Sequence, residues 1–204
     1  MRYFFIALLV LAVDASIPES SAHAQEVDKF GQAISAELQD KVAQARRMRL
    51  KYHRDEYDPK ASVALLESVV KEKPDYFRAH FNLGLSHHVV GNYSKAKESF
   101  DNALKIRELE DIDDFTVVNS AGWVSLRHGD FMRAERLLKE AEILSKNTQS
   151  FTERAVVSNL GELYFLTQRF DESKVYFEIS RDKYENQSAQ YYLDIIDDVQ
   201  NKGE

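Results

Sequence analysis

From His80 to Leu104 the chain reads HFNLGLSHHVVGNYSKAKESFDNAL. A Gly91-Asn92 pair divides this stretch, with the adjacent His87 and His88 before it and Ala96, Phe100 and Ala103 after it. Apolar residues on both sides recur at spacings of three and four, the period of a helix rather than a strand. Asparagine is a strong N-cap, and glycine ends a helix without a Cβ penalty, so the pattern is two helices joined by a tight turn. The two histidines either hold a metal or fill packing places, and recurrence of the pattern decides between these.

The pattern recurs twice. Residues 118–144 (VNSAGWVSLRHGDFMRAERLLKEAEIL) and 157–183 (VSNLGELYFLTQRFDESKVYFEISRDK) align with residues 80–106 without gaps. Gly84, Gly122 and Gly161 fall together, then the aromatics Tyr93, Phe131 and Phe170. Small residues follow at Ala96, Ala134 and Ser173, large ones at Phe100, Leu138 and Phe177, and small ones again at Ala103, Ala141 and Ser180. A small residue in each half lets two helix backbones approach, and a large one fills the space beside it. Stacked antiparallel helix pairs satisfy this pattern.

These residues resemble the tetratricopeptide repeat. In that family a Leu-Gly pair marks the first helix, an aromatic opens the second, and Ala, an aromatic and Ala follow. The first window carries Leu83-Gly84, Tyr93, Ala96, Phe100 and Ala103, and the third carries Leu160-Gly161, Tyr164, Phe170 and Phe177. The second is weaker, with Ala121-Gly122, Phe131, Ala134 and Ala141. The glycines are 38 and 39 residues apart, against about 34 in the family, so longer second helices or linkers are expected at 107–115 and 145–154. The resemblance implies an all-α, right-handed superhelical solenoid of antiparallel pairs, with about nine helices.

The expected organisation is a signal peptide over 1–24, an amphipathic helical segment over 25–56, a half repeat at 57–75, repeats at 76–108, 114–146 and 151–184, and a capping helix and tail over 185–204. Asp58 as N-cap and Pro59 at the first helical position open the half repeat, whose first half is not recognisable. A stripe from Phe30 to Tyr52 predicts one long helix over Val27–Arg54. Tyr191, Tyr192, Ile195, Ile196 and Val199 form the last helix, covering the end of the core as solenoids require.

Composition agrees. The 204 residues contain 7 Gly and 3 Pro, too few turns for a many-stranded sandwich or barrel. The net charge of −7 does not favour nucleic acid or anionic lipid as a partner. With no cysteine there are no disulfides, thiolate metal sites or cysteine nucleophiles. At the N-terminus, Arg2 precedes the apolar run Phe4–Val13, and Ala22-His23-Ala24 follows as a small-x-small pattern. Ten helical residues reach about half the hydrocarbon thickness, so the segment reads as a cleavable signal rather than an anchor. Cleavage after Ala24 and a periplasmic or secreted location are expected, with cleavage after Ala15 as the alternative.

Adjacent helical residues point about 100° apart, so His87 and His88 do not converge on one ion. His87 takes a packing place and His88 a groove place; no metal or cofactor is expected. In the resembled family the first helices line a concave groove. Carried over, its positions here are Phe81, Leu85, His88 and Val89, then Asn119, Trp123, Leu126 and Arg127, then Ser158, Glu162 and Phe165. Phe81 and Leu85 replace the Lys and Asn that clamp a C-terminal carboxylate in one subset of the family, which excludes that specificity. RRMRLKYHR (46–54) reads as a solvated basic face, and ELEDIDD (108–114) as a linker whose carboxylates favour the next helix start. No nucleophile elbow, phosphate loop or zinc-protease motif occurs. The expected function is a non-enzymatic scaffold of the bacterial envelope that binds a protein or peptide partner. The alternatives are a structural, homo-oligomerising module whose groove is filled by its own N-terminal helix, or a histidine-based metal binder or enzyme at His80, His87 and His88.

Overall fold

A computed structural model describes residues 33–112, 114–146, 148 and 151–201. Among them are nine helices: α1 Ala36–Arg49, α2 Pro59–Glu72, α3 Phe77–Val89, α4 Tyr93–Leu109, α5 Thr116–Arg127, α6 Phe131–Ser145, α7 Phe151–Leu166, α8 Phe170–Tyr184 and α9 Gln187–Asn201. The expected signal segment lies outside the described residues.

Helix starts follow local chemistry. Asp58 accepts from the Lys60 and Ala61 N–H groups at 3.1 and 2.9 Å, and Asn92 and Asp130 each accept from the third N–H of the helix they open at 3.3 Å. Gly91 and Gly129 sit at φ 79° and 77°, where a side chain would be strained. At the matching place in the third repeat Gln168 adopts φ 59°.

Within each pair the first helix lies against a large residue of the second. A Cβ at Gly84 would come within 3.0 Å of the Phe100 ring, one at Gly122 within 2.9 Å of Leu138, and one at Gly161 within 3.0 Å of Phe177. Real Cβ atoms rarely approach so closely, so glycine is what permits the contact. Ala96, Ala103, Ala134, Ala141, Ser173 and Ser180 are fully buried beside them. Leu83, Leu160 and Tyr164 join the buried set, whereas Tyr93 and Phe170 are half-buried and Phe131 is exposed at the helix starts.

The structure supplies the first half that was not recognisable upstream. Ser62 Oγ donates to the Ala45 carbonyl at 2.7 Å, as Ser173 Oγ does to the Gly161 carbonyl at 2.9 Å. Leu66 and Val69 then occupy the places of Phe177 and Ser180 and are fully buried. α1 and α2 are therefore a fourth helix pair, with Ala45 in the glycine's place and a longer turn. This shortens the helix expected over Val27–Arg54. It ends at Arg49, because the Asp58 N–H returns to the Met48 carbonyl at 2.9 Å and closes the reversal into α2. Residues 27–32 lie outside the described residues.

The longer repeat spacing is taken up in α4, which runs 17 residues to Leu109, in the connections after α4 and α6, and in α7, which starts ten residues before Gly161 where α5 starts six before Gly122. Pairs stack through contacts of α2 with α3, α4 with α5, α6 with α7 and α8 with α9. Each of α1, α3 and α5 also touches the next odd helix, while the even helices make no comparable contact with one another. A closely spaced odd row and a splayed even row curve the stack, with the odd helices on its concave side.

Candidate functional site

The odd helices bring the carried-over positions to one face, but not all of them to its surface. Leu85, Asn119 and Leu126 are 7%, 0% and 2% exposed and have little side chain to offer a partner. Asn119 Oδ1 instead accepts from Asn159 Nδ2 at 2.9 Å, a buried tie between α5 and α7. Leu126 belongs to the main core cluster. Phe81, His88, Trp123, Ser158, Glu162 and Phe165 are half-buried, and Val89 and Arg127 are exposed.

Trp123 is the centre of this face. The His88 ring meets it edge-on with centroids 4.9 Å apart, and the Arg127 guanidinium lies 5.7 Å from its centroid. Arg127 also pairs with Glu162 on α7. The underside of Trp123 packs on the core, as does that of Phe81. Farther along, Phe165 is 5.2 Å from the Tyr192 ring of α9, which itself stacks on Phe177 at 4.4 Å.

Three contributors escaped the sequence reading. Tyr192 was assigned to a capping stripe, yet its neighbours place it beside Phe165. His128, which closes α5, has Nε2 3.1 Å from His88 Nδ1, and its ring stacks on Tyr93 at 4.4 Å. Arg49 was placed on a solvated face but is 3% exposed and donates to both the carbonyl and the amide oxygen of Asn82 at 3.3 Å. Its spacing four residues after Ala45 was the available signal, since His88 stands four after Gly84. In the acidic linker, Asp114 Oδ1 accepts from the Thr116 N–H at 2.8 Å at the start of α5.

The histidines separate as their spacing requires. His80 is buried, with Nε2 2.8 Å from the Pro74 carbonyl. His87 is buried, and its Nε2 is 3.9 Å from Glu67. Burial lowers the pKa of both. His88 is pushed down to about 4, first by burial and then by His128, Arg127 and Arg49, so it is neutral at pH 7. Among the described residues no three His, Asp or Glu side chains gather as a metal would need. No described helix is long and apolar enough to cross a membrane.

The family described as tetratricopeptide repeat matches residues 77–108, which span α3 and α4. No curated protein matches the chain. Among solved structures, pilF of Pseudomonas aeruginosa superposes with a TM-score of 0.65 at 20% identity, over 81% of this chain and 72% of that one. PilW, described as a widely conserved type IV pilus biogenesis factor, gives 0.41 at 17% identity, over 74% of this chain and 80% of that one. Residues 77–108 are thus a tetratricopeptide repeat, and the surrounding helix pairs stack as an all-α solenoid of the same type. That fold typically serves protein interaction.

Proposed function

We propose that the chain is a non-enzymatic scaffold of the bacterial cell envelope that docks a protein or peptide segment in its concave groove. The observation that carries this reading is the half-buried Trp123, packed on the core and flanked by His88 and Arg127. Rigid aromatic side chains held this way are the common anchors of interfaces. The self-filled alternative is not favoured: α1 packs on α2 and α3 and continues the odd row, rather than lying across α5 and α7. The envelope location rests on the apolar run Phe4–Val13 and the Ala22-His23-Ala24 pattern.

Two measurements test the proposal. A photo-crosslinking residue at Val89, on the concave side, should trap a discrete partner in the native host, while one at Val175 on α8 should not. Equal trapping from both positions removes the groove from the reading. N-terminal sequencing of the native protein should begin at Gln25; an intact Met1 in a cytoplasmic fraction would refute export, and a start at Ser16 would only move the site.

A further inference from the structure

The junction between the α3–α4 pair and the α5–α6 pair is built differently from its neighbours. Both of its helix contacts, α3 with α5 and α4 with α5, are thinner than the matching contacts at the junctions on either side. On the outer face a cleft of about 630 Å³ opens between α4 and α6, walled by Leu104, Lys105, Arg107, Arg136 and Glu140. Across that side Arg133 reaches Asp101 at 2.7 Å, and Arg107 stands 3.7 Å from Glu140. On the concave face the junction is closed by rings. Nδ1 of His88 on α3 and Nε2 of His128 at the end of α5 are 3.1 Å apart, the distance of a hydrogen bond in which one ring donates and the other accepts. Trp123 meets His88 edge-on, and Tyr93 stacks on His128.

This bond has a limited proton capacity. With a single N–H between the facing nitrogens it holds, whether the pair is neutral or carries one extra proton. With a second extra proton both nitrogens carry N–H, both rings are cations, and the bond is lost. The surroundings oppose that second charge. Arg127 of α5 and Arg49 of α1 add positive charge, and burial lowers both histidine pKa values, that of His88 to about 4. The carboxylates on this side are engaged elsewhere. Asp130, which caps α6, accepts from the Tyr93 hydroxyl and the Arg133 N–H, and Glu162 of α7 pairs with Arg127. His87 is turned towards Glu67 of α2. Trp123 Nε1 is enclosed without an acceptor among the described residues, so displacing that ring breaks no hydrogen bond.

We propose that the His88–His128 pair is a proton-operated latch across the α3–α5 junction. Closed near neutral pH, it holds Trp123 in place as a preorganised anchor. Opened in acid, it lets the two helix pairs part on the concave side, with the outer ion pairs as pivot, and the anchor is released. The latch rests on the ring geometry, and its effect on docking rests on the groove reading above. By linkage, the open form, with both rings in water, binds protons more readily than the closed form, so falling pH draws the equilibrium towards it.

The chain has no cysteine, so introduced pairs carry spin labels without background. Labels at Val89→Cys and Leu166→Cys, exposed positions on α3 and at the end of α7, span the junction; labels at Leu166→Cys and Val199→Cys, on α7 and α9, do not. Pulsed electron resonance near pH 7 should give one distance for the first pair, joined near pH 4 by a second, longer one, while the α7–α9 distance stays. The emission of Trp123, the single tryptophan, should shift to the red in step. His88→Gln and His128→Gln each remove one of the two charges. Both should abolish the longer population and keep the neutral-pH distance, which also shows that they fold. A first-pair distance that ignores pH, an acid shift that survives both substitutions, or lengthening of both label pairs together would overturn the latch. Docking is read separately, by trapping a partner through a photo-crosslinker at Val89. Trapping should fall about tenfold from pH 7 to pH 4 as the anchor loses its order. Equal trapping at both removes the control of docking, and no trapping at pH 7 removes the groove reading while the distances still judge the latch.

Discussion

Gln168 shows how one residue records a compromise. It occupies the turn place of Gly91 and Gly129 but holds φ 59° with a side chain, a conformation costing about 1 kcal/mol outside glycine. Gln168→Gly should therefore stabilise the protein by roughly 0.5–1 kcal/mol in chemical denaturation, less the entropy that glycine adds to the unfolded chain. His88 gives a pH-dependent counterpart. Its folded pKa of about 4 lies below the ordinary histidine value because of burial and the nearby His128, Arg127 and Arg49. A depressed histidine contributes stability above its unfolded pKa, and that stability is lost as pH falls from about 6.5 towards 4. Because the ring is only half-buried, the loss should be roughly 1–2 kcal/mol. Denaturation at pH 7 and 4.5 checks this: His88→Phe should flatten the difference, and an unchanged difference would show that other groups carry it.

At the scale of the helix pair, stability depends on volumes at fixed spacing. Ala96 is fully buried in α4, one turn before Phe100, which lies against Gly84. Ala96→Phe should overpack this contact and cost roughly 1–3 kcal/mol. No loss in denaturant would show that the pair is not packed in this phase. The α1–α2 pair obeys the same rule with different letters. Ser62, Leu66 and Val69 keep the phase of Ser173, Phe177 and Ser180, so that half was legible in the sequence. Its partner helix was not, because Ala45 stands in the glycine's place and the turn is five residues longer than in the third repeat. An ungapped alignment cannot see such a displacement, whereas the Ser62–Ala45 hydrogen bond and the packing of α1 on α2 reveal it.

Across the whole molecule, Trp123 links folding to the proposed docking. It is half-buried, so Trp123→Ala should cost about 1–3 kcal/mol of stability, below the range for a fully buried aromatic. It should also weaken partner binding by about 2 kcal/mol if the anchor is a hot spot. Thermal denaturation beside a binding isotherm separates the two. Unchanged affinity for a partner trapped at Val89 would remove Trp123 from the anchor set.

The sequence by itself determined the helical class and the repeat fold, because glycine, alanine and aromatic side chains act through local backbone freedom and volume. Gly84, Gly122 and Gly161 meet Phe100, Leu138 and Phe177 as their spacing implied. Only the tertiary structure decided which concave positions are reachable. Leu85, Asn119 and Leu126 share the groove register with Trp123, yet they are buried by helix contacts and, for Asn119, by a bond 40 residues away in sequence. It likewise placed Arg49 against Asn82, His128 against His88 and Tyr192 against Phe165. Spacing along a chain sets which way a side chain points on its own helix. Whether it meets solvent or another helix depends on the angle and distance at which the pairs stack, and those emerge only when every interface is packed at once.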